Sequence, residues 1–369
     1  MFDHYGLVLT ITHNCNMRCT YCYAGGKVAR TMPEPIALKA IDRAIASVSP
    51  GGTLDLGFFG GEPLLEAELT ERLIEYARSR TTAAGLKLAL SMTTNGTVTH
   101  PRAWSVMTRP DLNLAISCDG MPAVQDRHRR FAGGRGSSQT VLATIRRLLG
   151  AGKKFRVAMV VRPDSVDLLP ENIEFLQRAG VTRIEPTLDV WAEWNDRDVR
   201  QLERAIARCA EIWRAGLPRL AIGWFDEKLL QLARLPGRRA TRCGFGRGEL
   251  AVAPSGRMYP CERLVGDDAP GNPMALPGSV MDGDDFLHVA EPPGRNERAC
   301  HGCAMLAMCN TFCRCANYVR TGDVGRPDGL LCAWNQACLN ETARIMQETM
   351  LFRPCTRSSE ETEHEYART

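Results

Sequence analysis

The sequence predicts an α/β fold in which an open, partial (β/α)6 barrel is followed by a small cysteine-rich domain. Over the first two thirds of the chain, short apolar runs alternate six times with amphipathic segments, which is typical of βα units around a parallel sheet. Six units are fewer than the eight that close a full barrel, so the barrel should stay open on one side. After residue 236 the alternation stops and cysteines become frequent.

Each βα unit is predicted from its own stretch of sequence. The strands are short runs of apolar and β-branched residues: Tyr5–Thr12, Leu54–Phe59, Leu86–Met92, Leu112–Ser117, Phe155–Val161 and Thr182–Leu188. The helical stretches between them repeat apolar residues at three- and four-residue spacing: Glu34–Val48, Leu64–Arg80, Ser137–Leu149 and Leu168–Ala179.

Unusual residues follow the first four predicted strands. In chain order they are the cysteine triplet of "HNCNMRCTYCYAG", then Gly60–Pro63, Thr93–Gly96 and Ser117–Gly120. Gly, Asn and Pro also serve as plain turn residues, so one such loop alone means little. Because the carboxyl ends of parallel strands meet at one rim, where ligands bind in α/β folds, the four loops together predict a site.

Composition and charge narrow the class of protein. The chain has 369 residues, 44% hydrophobic and 24% charged, with a net charge of +4 and no basic tract, so no nucleic-acid partner is expected. The start of the chain has no charged leader and only a short apolar run, which predicts a cytoplasmic protein without a membrane span. In a reducing compartment, fifteen cysteines favour metal binding over disulfides.

The cysteines fall into two groups. Cys15, Cys19 and Cys22 offer three thiolates on one loop, which fits a [4Fe–4S] cluster whose fourth iron is open. A Gly-rich hairpin turning at residues 254–256 begins the second group, whose spacing alone is equally compatible with tetrahedral zinc. Its members are Cys243, Cys261, Cys300, Cys303, Cys309, Cys313 and Cys332. The other thiols, including Cys118, Cys209, Cys338 and Cys355, are interpreted as core or surface residues.

The triplet Cys15-x3-Cys19-x2-Cys22, with Tyr21 before the last cysteine, resembles the signature of the radical S-adenosylmethionine (radical SAM) superfamily. The resemblance implies that SAM binds here. It places Gly60, Gly61, Glu62 and Pro63 at the methionine amino group, and Ser117 and Asp119 beside the ribose. "QDRHR" resembles a family segment in which Arg129 would bind the SAM carboxylate, although Gln125 replaces the usual His and Arg127 and Arg130 are alternatives.

The second group of cysteines resembles the seven-cysteine SPASM extension of that superfamily, which holds two auxiliary [4Fe–4S] clusters. With the SAM-binding cluster, the resemblance implies three [4Fe–4S] clusters in this chain. The resemblance assigns Cys300, Cys303, Cys309 and Cys332 to one cluster, and Cys243, Cys261 and Cys313 to the other. Some members have an eighth cysteine just before the first, but Pro236–Arg242 contains none. The second cluster then has an open iron or recruits Cys315 or Cys338. The implied domains are a radical SAM barrel (1–235), a SPASM domain (236–350) and a polar, disordered tail (351–369).

Enzymes of this kind resemble one another in acting on peptides or proteins. We therefore expect an oxidative side-chain modification, such as a cross-link, on a ribosomally made peptide or protein. A reductant such as flavodoxin or ferredoxin would deliver the electron, and the loop Gly266–Gly278, if it is not disordered, or a separate leader-recognition protein would help to bind the substrate.

Two other functions stay open. The first is sulfatase maturation, in which the residue after the second SPASM cysteine resembles a catalytic base. That residue is Glu262 here, where similar enzymes usually have Asp, and Glu262 would alternatively pair with Arg263 or Arg257 at the surface. The second is a non-catalytic iron–sulfur or zinc scaffold, which is disfavoured because such a scaffold needs no SAM-binding loops.

Overall fold

A nine-stranded sheet forms the centre of the computed structural model, which describes residues 1–233, 244–289, 300, 302–303, 305–306, 309 and 313–349. The first seven strands are parallel to one another and pair in chain order. They are β1 (Phe2–Thr12), β2 (Val48–Gly60), β3 (Lys87–Thr94), β4 (Leu112–Ser117), β5 (Phe155–Val161), β6 (Arg183–Leu188) and β7 (Ala221–Ile222).

Helices cover one face of this sheet. They are α1 (Glu34–Ser47), α2 (Ala67–Ala83), α3 (Pro101–Thr108), α4 (Pro122–His128), α5 (Ser138–Gly150), α6 (Leu169–Arg178), α7 (Asp196–Gly216) and α8 (Gly223–Leu232). Large apolar residues of the strands, such as Leu7, Leu56 and Leu114, point to the helices and are fully buried in one main core.

The other face of the strands carries small side chains. Since side chains alternate along a strand, the neighbours of the core residues point the opposite way. Val8, Gly57, Ser91, Ala115 and Ala158 line a cavity on that side. The small residues leave the space that a cofactor and a substrate need.

The predicted βα units are confirmed. The bounds of β4 and β5 are as predicted, and the other predicted strands and helices are found within a few residues, although β2 starts earlier, at Val48. The Gly-rich hairpin is also confirmed as β8 (Glu249–Val252) and β9 (Met258–Tyr259), which pair antiparallel.

The C-terminal part also contains two helices that the sequence analysis does not predict. They are α9 (Arg314–Thr321) and the 20-residue α10 (Gly329–Glu348). α10 packs on α7 and α8, where Arg344 bonds Glu211 at 2.5 Å and Lys228 donates to Asn335 at 2.6 Å. β8 pairs parallel with β1. A domain boundary at residue 235 therefore stays a prediction, because the chain after it extends the same sheet and the same helical layer.

The loop Gly266–Gly278 is packed and not disordered. Met274 and Leu276 are buried, and the backbone N–H of Leu276 donates to the carbonyl of Met258 at 2.8 Å. Pro236–Arg242, Cys243, Cys355 and the predicted tail lie outside the described residues. Within the described part of the chain, no helix has the length and apolar character that crossing a membrane requires.

Candidate active site at the carboxyl edge of the sheet

A cavity of about 420 Å³ lies at the carboxyl ends of the parallel strands. The structure brings together here the loops that follow β1, β2, β3 and β4, as the sequence predicts. The predicted site residues that line the cavity are Cys15, Cys19, Tyr21, Cys22, Gly60, Gly61, Ser117, Arg129 and Glu262.

The three cysteines of the first loop lie on one wall. Cys15 is the most buried of them, and its Sγ accepts hydrogen bonds from the backbone N–H of Met17 at 3.4 Å and from Nδ2 of Asn95 at 3.8 Å. Burial raises the pKa of Cys15 to about 11 and, more than any other influence, raises that of Cys19. Thiols of this kind ionise readily when a metal centre supplies positive charge, so this wall is suited to hold one.

Gly60 and Gly61 let the loop after β2 lie directly against the end of β1. A Cβ on Gly61 would come within 2.1 Å of the carbonyl oxygen of Asn14, and one on Gly60 within 2.4 Å of that of Thr12. Gly60 also has φ +134°. The two glycines therefore hold the cysteine loop and the cavity floor together, and no larger residue fits in their place.

Glu62 is fully buried beside them, and Pro63 begins a short 3₁₀ turn. The Glu62 carboxylate accepts hydrogen bonds from Thr94 Oγ1 at 2.6 Å and from the backbone N–H of Asn95 at 2.7 Å and Leu64 at 3.0 Å. Its visible role is thus to tie the loop after β2 to the loop after β3. A direct contact of Glu62 with the SAM amino group stays a prediction.

Tyr21, Asp119 and Arg129 form a connected group. The Tyr21 hydroxyl donates to Asp119 Oδ2 at 2.5 Å and accepts from Arg129 Nη1 at 2.8 Å. The Arg129 side chain is 7% exposed, and its Nε has no hydrogen-bond partner in the structure. An unpartnered buried guanidinium N–H is costly, so an anionic ligand such as a carboxylate would fit against it.

Gln125, which departs from the family pattern, is fully buried and supports this group. Its Oε1 accepts from the backbone N–H of Asp119 at 2.8 Å, and its Nε2 donates to Ser137 Oγ at 3.0 Å. Ser137 Oγ in turn donates to the carbonyl of Arg129 at 2.7 Å. Because Gln125 both accepts and donates, it joins the Asp119 loop to Arg129 without a His.

The sequence interpretation missed an aromatic stack at the cavity mouth. The Tyr23 ring lies 4.7 Å from the Trp191 ring and 6.1 Å from the Phe59 ring, near parallel to both. Trp191 is 41% exposed and also lines the cavity. The one local signal is that aromatic residues, Tyr21 and Tyr23, flank Cys22 on both sides. Trp191 follows β6 and belongs to no motif.

Glu262 and Arg263 also line the cavity, and the Arg263 guanidinium lies over the Tyr23 ring at 6.0 Å. Glu262 is half-buried, and its Oε2 lies 3.4 Å from the Sγ of Cys261. Arg257, one suggested ion-pair partner, instead bonds Asp268 at 3.3 Å. The cavity thus reaches from the cysteine triplet to the carboxylate beside Cys261.

Four of the C-terminal cysteines, Cys300, Cys303, Cys309 and Cys332, form a second group near the start of α10. Burial raises the pKa of Cys332, and the neighbouring thiols of Cys309 and Cys300, with Asp328 and Cys303, raise it further. These four cysteines are the set that the resemblance to the SPASM extension assigns to one cluster, and their thiols are near enough to influence one another's charge. Within the described ranges, no three His, Cys, Asp or Glu side chains are arranged to hold a single metal ion.

Comparison with known families agrees with this geometry. Residues 9–167 match the sequence model of the radical SAM superfamily. These residues form a radical SAM domain. The superfamily implies SAM and a [4Fe–4S] cluster as cofactors, and the cysteine wall, the two glycines and the unpartnered Arg129 Nε fit them.

Similar proteins of known name support the assignment over more of the chain. A PqqA peptide cyclase of Rhodopseudomonas palustris is 25% identical over 337 residues, which cover 87% of this chain and 85% of the relative. A cysteine-type anaerobic sulfatase-maturating enzyme of Clostridium novyi is 21% identical over 284 residues, 71% of this chain and 74% of the relative. The uncharacterized protein MJ0907 of Methanocaldococcus jannaschii is 28% identical over 178 residues, which cover 48% of this chain and 60% of that protein.

Solved structures share the fold. The structure of anSMEcpe with bound AdoMet and the Kp18Cys peptide superposes with a TM-score of 0.77 at 18% identity, and the match covers 94% of this chain and 99% of that chain. The radical SAM domain and the chain that follows it therefore have the architecture of that protein.

Proposed function

We propose that this protein is a radical SAM maturase that oxidatively modifies a side chain of a ribosomally made peptide or protein, with a cross-link as the leading product. One observation carries the proposal: a single cavity joins the cysteine triplet to Glu262, which lies beside Cys261 of the C-terminal group. In support, a relative is named a peptide cyclase and a structural neighbour binds a peptide.

Cys15, Cys19 and Cys22 would hold the SAM-binding cluster, with Arg129 at the SAM carboxylate, Tyr21, Ser117 and Asp119 near the nucleoside, and residues 60–63 at the amino group. When bound, a reduced [4Fe–4S] cluster with SAM would supply the chemistry of hydrogen-atom abstraction through a 5′-deoxyadenosyl radical, and an auxiliary cluster would serve as a one-electron acceptor. The protein's part is to fix the geometry of these groups.

The residues of the chain position the reactants and keep water out. The Tyr21–Asp119–Arg129 group is held together by its own hydrogen bonds, which would keep these side chains in position for a ligand. The stack of Phe59, Tyr23 and Trp191 puts apolar surface at the mouth, where a bound peptide would complete the seal.

The C-terminal region would hold two auxiliary [4Fe–4S] clusters. Cys300, Cys303, Cys309 and Cys332 form one proposed ligand set, and Cys261 and Cys313, with Cys243 from outside the described residues, form the other. We assign residues 1–235 to the barrel and 236–350 to the SPASM domain. The clusters would make the C-terminal part of the chain depend on metal for its folding.

The proposed partners follow from this chemistry. The substrate is a peptide, and a flavodoxin or ferredoxin supplies the electron. A separate leader-recognition protein would bring the peptide, and the packed loop Gly266–Gly278 offers a further contact surface. A cytoplasmic location fits fifteen cysteines that need reducing conditions.

Formylglycine formation on a sulfatase is the second candidate function, because Glu262 lines the cavity where a base would be needed. The Clostridium novyi relative carries that activity in its name. Hydrogen transfer from a peptide into 5′-deoxyadenosine tests the proposed catalysis directly. The effect of a Glu262→Gln substitution then distinguishes cross-linking from formylglycine formation.

We expect Glu262→Gln to lower product formation by less than about tenfold, because Glu extends further than the Asp of similar enzymes and its Oε2 already contacts Cys261. The amide keeps the shape and removes the proton acceptor. Product and 5′-deoxyadenosine are measured together by liquid chromatography and mass spectrometry, with Glu203→Gln on the exposed face of α7 as the matched control.

The sulfatase-type reaction predicts a different result for the same variant. Loss of a general base costs about 10²–10⁴ in rate, while 5′-deoxyadenosine would still form without product. Such uncoupling at wild-type iron content contradicts the cross-linking proposal and favours formylglycine formation.

A further inference from the structure

The loop of the cysteine triplet is paired with the segment of chain that follows α4. Met17 forms an antiparallel bridge with Phe131, and the backbone N–H of Arg18 donates to the carbonyl of Arg130 at 2.7 Å. The two segments therefore form one continuous surface, on which the side chains of Arg18 and Arg130 are exposed.

This surface is rich in arginine. Arg18, Arg127, Arg130 and Arg135 are all exposed, and within the described residues none of the four forms an ion pair with a carboxylate. We call these four side chains the arginine patch. Positive charge that is not neutralised by neighbouring carboxylates attracts acidic partners.

Two members of the patch are held by backbone carbonyls. Arg127 donates to the carbonyl of Asp164 and Arg130 to that of Asp126, both at 2.8 Å. Neither arginine lines the cavity, so the structure favours neither of them over Arg129 as the partner of the SAM carboxylate.

The carboxylates of the same two aspartates are bonded to other groups. Asp126 accepts a hydrogen bond from Ser138 Oγ at 2.6 Å, and Asp164 accepts one from Arg162 Nε at 3.2 Å. They leave the patch with a surplus of positive charge. On the outer helices, in contrast, an exposed arginine such as Arg80 forms an ion pair at 2.9 Å.

The patch lies beside the cysteine loop but outside the cavity. None of its four described arginines lines the cavity, whereas Cys19, the residue after Arg18, does. Thr20, which follows Cys19, is again exposed. The backbone of the loop therefore lies between the patch and the proposed SAM-binding cluster.

This position suits the entry of an electron. SAM and the peptide would fill the cavity during turnover, so a reductant has to approach the cluster from outside it. Because the rate of electron transfer falls steeply with distance, the exposed surface on either side of Cys19 is a favourable place of approach.

We propose that the arginine patch is the docking surface for the protein that reduces the SAM-binding cluster, a small acidic one-electron carrier of the flavodoxin or ferredoxin class. This inference rests on the proposed function. The carrier gives up one electron and the cluster gains it, and no bond forms or breaks in that step. Complementary charge speeds the encounter and orients the carrier, and its effect weakens as salt is added.

The test adds acidic charge to the patch without removing a side chain of the cysteine loop. In the patch variant, Gly133→Glu/Arg135→Glu, the first position is exposed and a Cβ there would meet nothing within 4 Å, and the Arg135 side chain lies over the Phe131 ring at 4.5 Å. The matched control, Gly150→Glu/Arg219→Glu, makes the same changes at exposed residues that precede β5 and β7, at the amino edge of the sheet.

Binding of an oxidised acidic flavodoxin and of an oxidised acidic ferredoxin to the reconstituted protein is measured by isothermal titration calorimetry. We expect the patch variant to bind the preferred carrier about tenfold more weakly than the wild type at low ionic strength, with a smaller difference at high salt. The control variant should bind as the wild type does.

The formation of 5′-deoxyadenosine is measured with two reductants. With a limiting amount of the reduced carrier, the patch variant should form it about tenfold more slowly than the wild type. Dithionite is a small ion that needs no docking surface, so with dithionite the two rates should be equal.

Several results would overturn the inference: failure of both carriers to bind the wild type, wild-type affinity in the patch variant, or an equal loss of affinity in the control. Tighter binding of poly-glutamate than of either carrier, weakened by the patch variant, would overturn it in favour of an acidic peptide. If circular dichroism shows that the patch variant does not fold, Arg135→Gln alone repeats the measurements.

Failure of the proposed function gives a different result. A wild-type protein that forms no 5′-deoxyadenosine with dithionite would contradict the proposed function. Because carrier binding is measured without turnover, this failure is distinguishable from failure of the docking proposal.

Discussion

Replacing Cys15, Cys19 and Cys22 together with Ala is expected to lower the formation of 5′-deoxyadenosine by at least about 10³-fold, since no other described group replaces the missing iron site. The three thiols line one wall of the cavity and anchor no helix or strand of the core. The fold should therefore survive their loss, and iron should fall by about four per chain.

Cys209→Ala is the matched control for that variant. The Cys209 thiol is fully buried and belongs to none of the predicted ligand sets. The variant should therefore keep the wild-type iron content and the wild-type rate of SAM cleavage. Persistent 5′-deoxyadenosine formation in the triple variant would show that SAM is cleaved at another site.

Gly61→Ala is expected to have the second large effect, although it adds only a methyl group. The new Cβ would meet the backbone carbonyl of Asn14 at 2.1 Å, and neither backbone segment can move without displacing the end of β1 and the cysteine loop. Overpacking of this kind costs about 3 kcal/mol, which corresponds to a fall in Tm of roughly 4 °C for a chain of this size.

Gly150→Ala provides the control for that substitution. Gly150 is the last residue of α5, and a Cβ there would meet nothing within 4 Å. Thermal unfolding and iron content are measured for both variants. Gly61→Ala with wild-type Tm and iron content would refute the close approach of the two loops.

The barrel was predictable because its signals are local. The runs Leu112–Ser117 and Phe155–Val161 are bounded by turn residues, and parallel pairing then places the motif loops at one edge. The long helix α10 was not predicted, because its apolar positions are interrupted by Asn335, Gln336 and Cys residues and acquire meaning only against α7 and α8. Its helical state depends on tertiary packing.

The candidate site shows the same division. The cysteine spacing and Gly60-Gly61-Glu62 are local motifs, so the sequence locates them. Trp191 stacks on Tyr23 across 168 positions of chain, and nothing near Trp191 indicates that contact. Gln125 departs from a motif, and only its two hydrogen bonds reveal how it supports Asp119 and Ser137.

The C-terminal cysteines lie between these cases. The resemblance to the SPASM extension divides them into two predicted ligand sets, but it leaves Cys315 and Cys338 equivalent. In the structure the Sγ of Cys315 lies 3.4 Å from that of Cys313, whereas Cys338 is buried in the main core. This difference depends on long-range packing, which the order of the cysteines does not show.

Hydrogen transfer from a deuterated peptide would show directly whether this protein modifies peptides by radical chemistry. The reconstituted protein is reduced without oxygen and incubated with SAM and perdeuterated peptides made from the short reading frames next to its gene. We expect one such peptide to lose two hydrogen atoms, one of which appears as deuterium in 5′-deoxyadenosine. Formation of 5′-deoxyadenosine that contains no deuterium, with every peptide left unmodified, would contradict it.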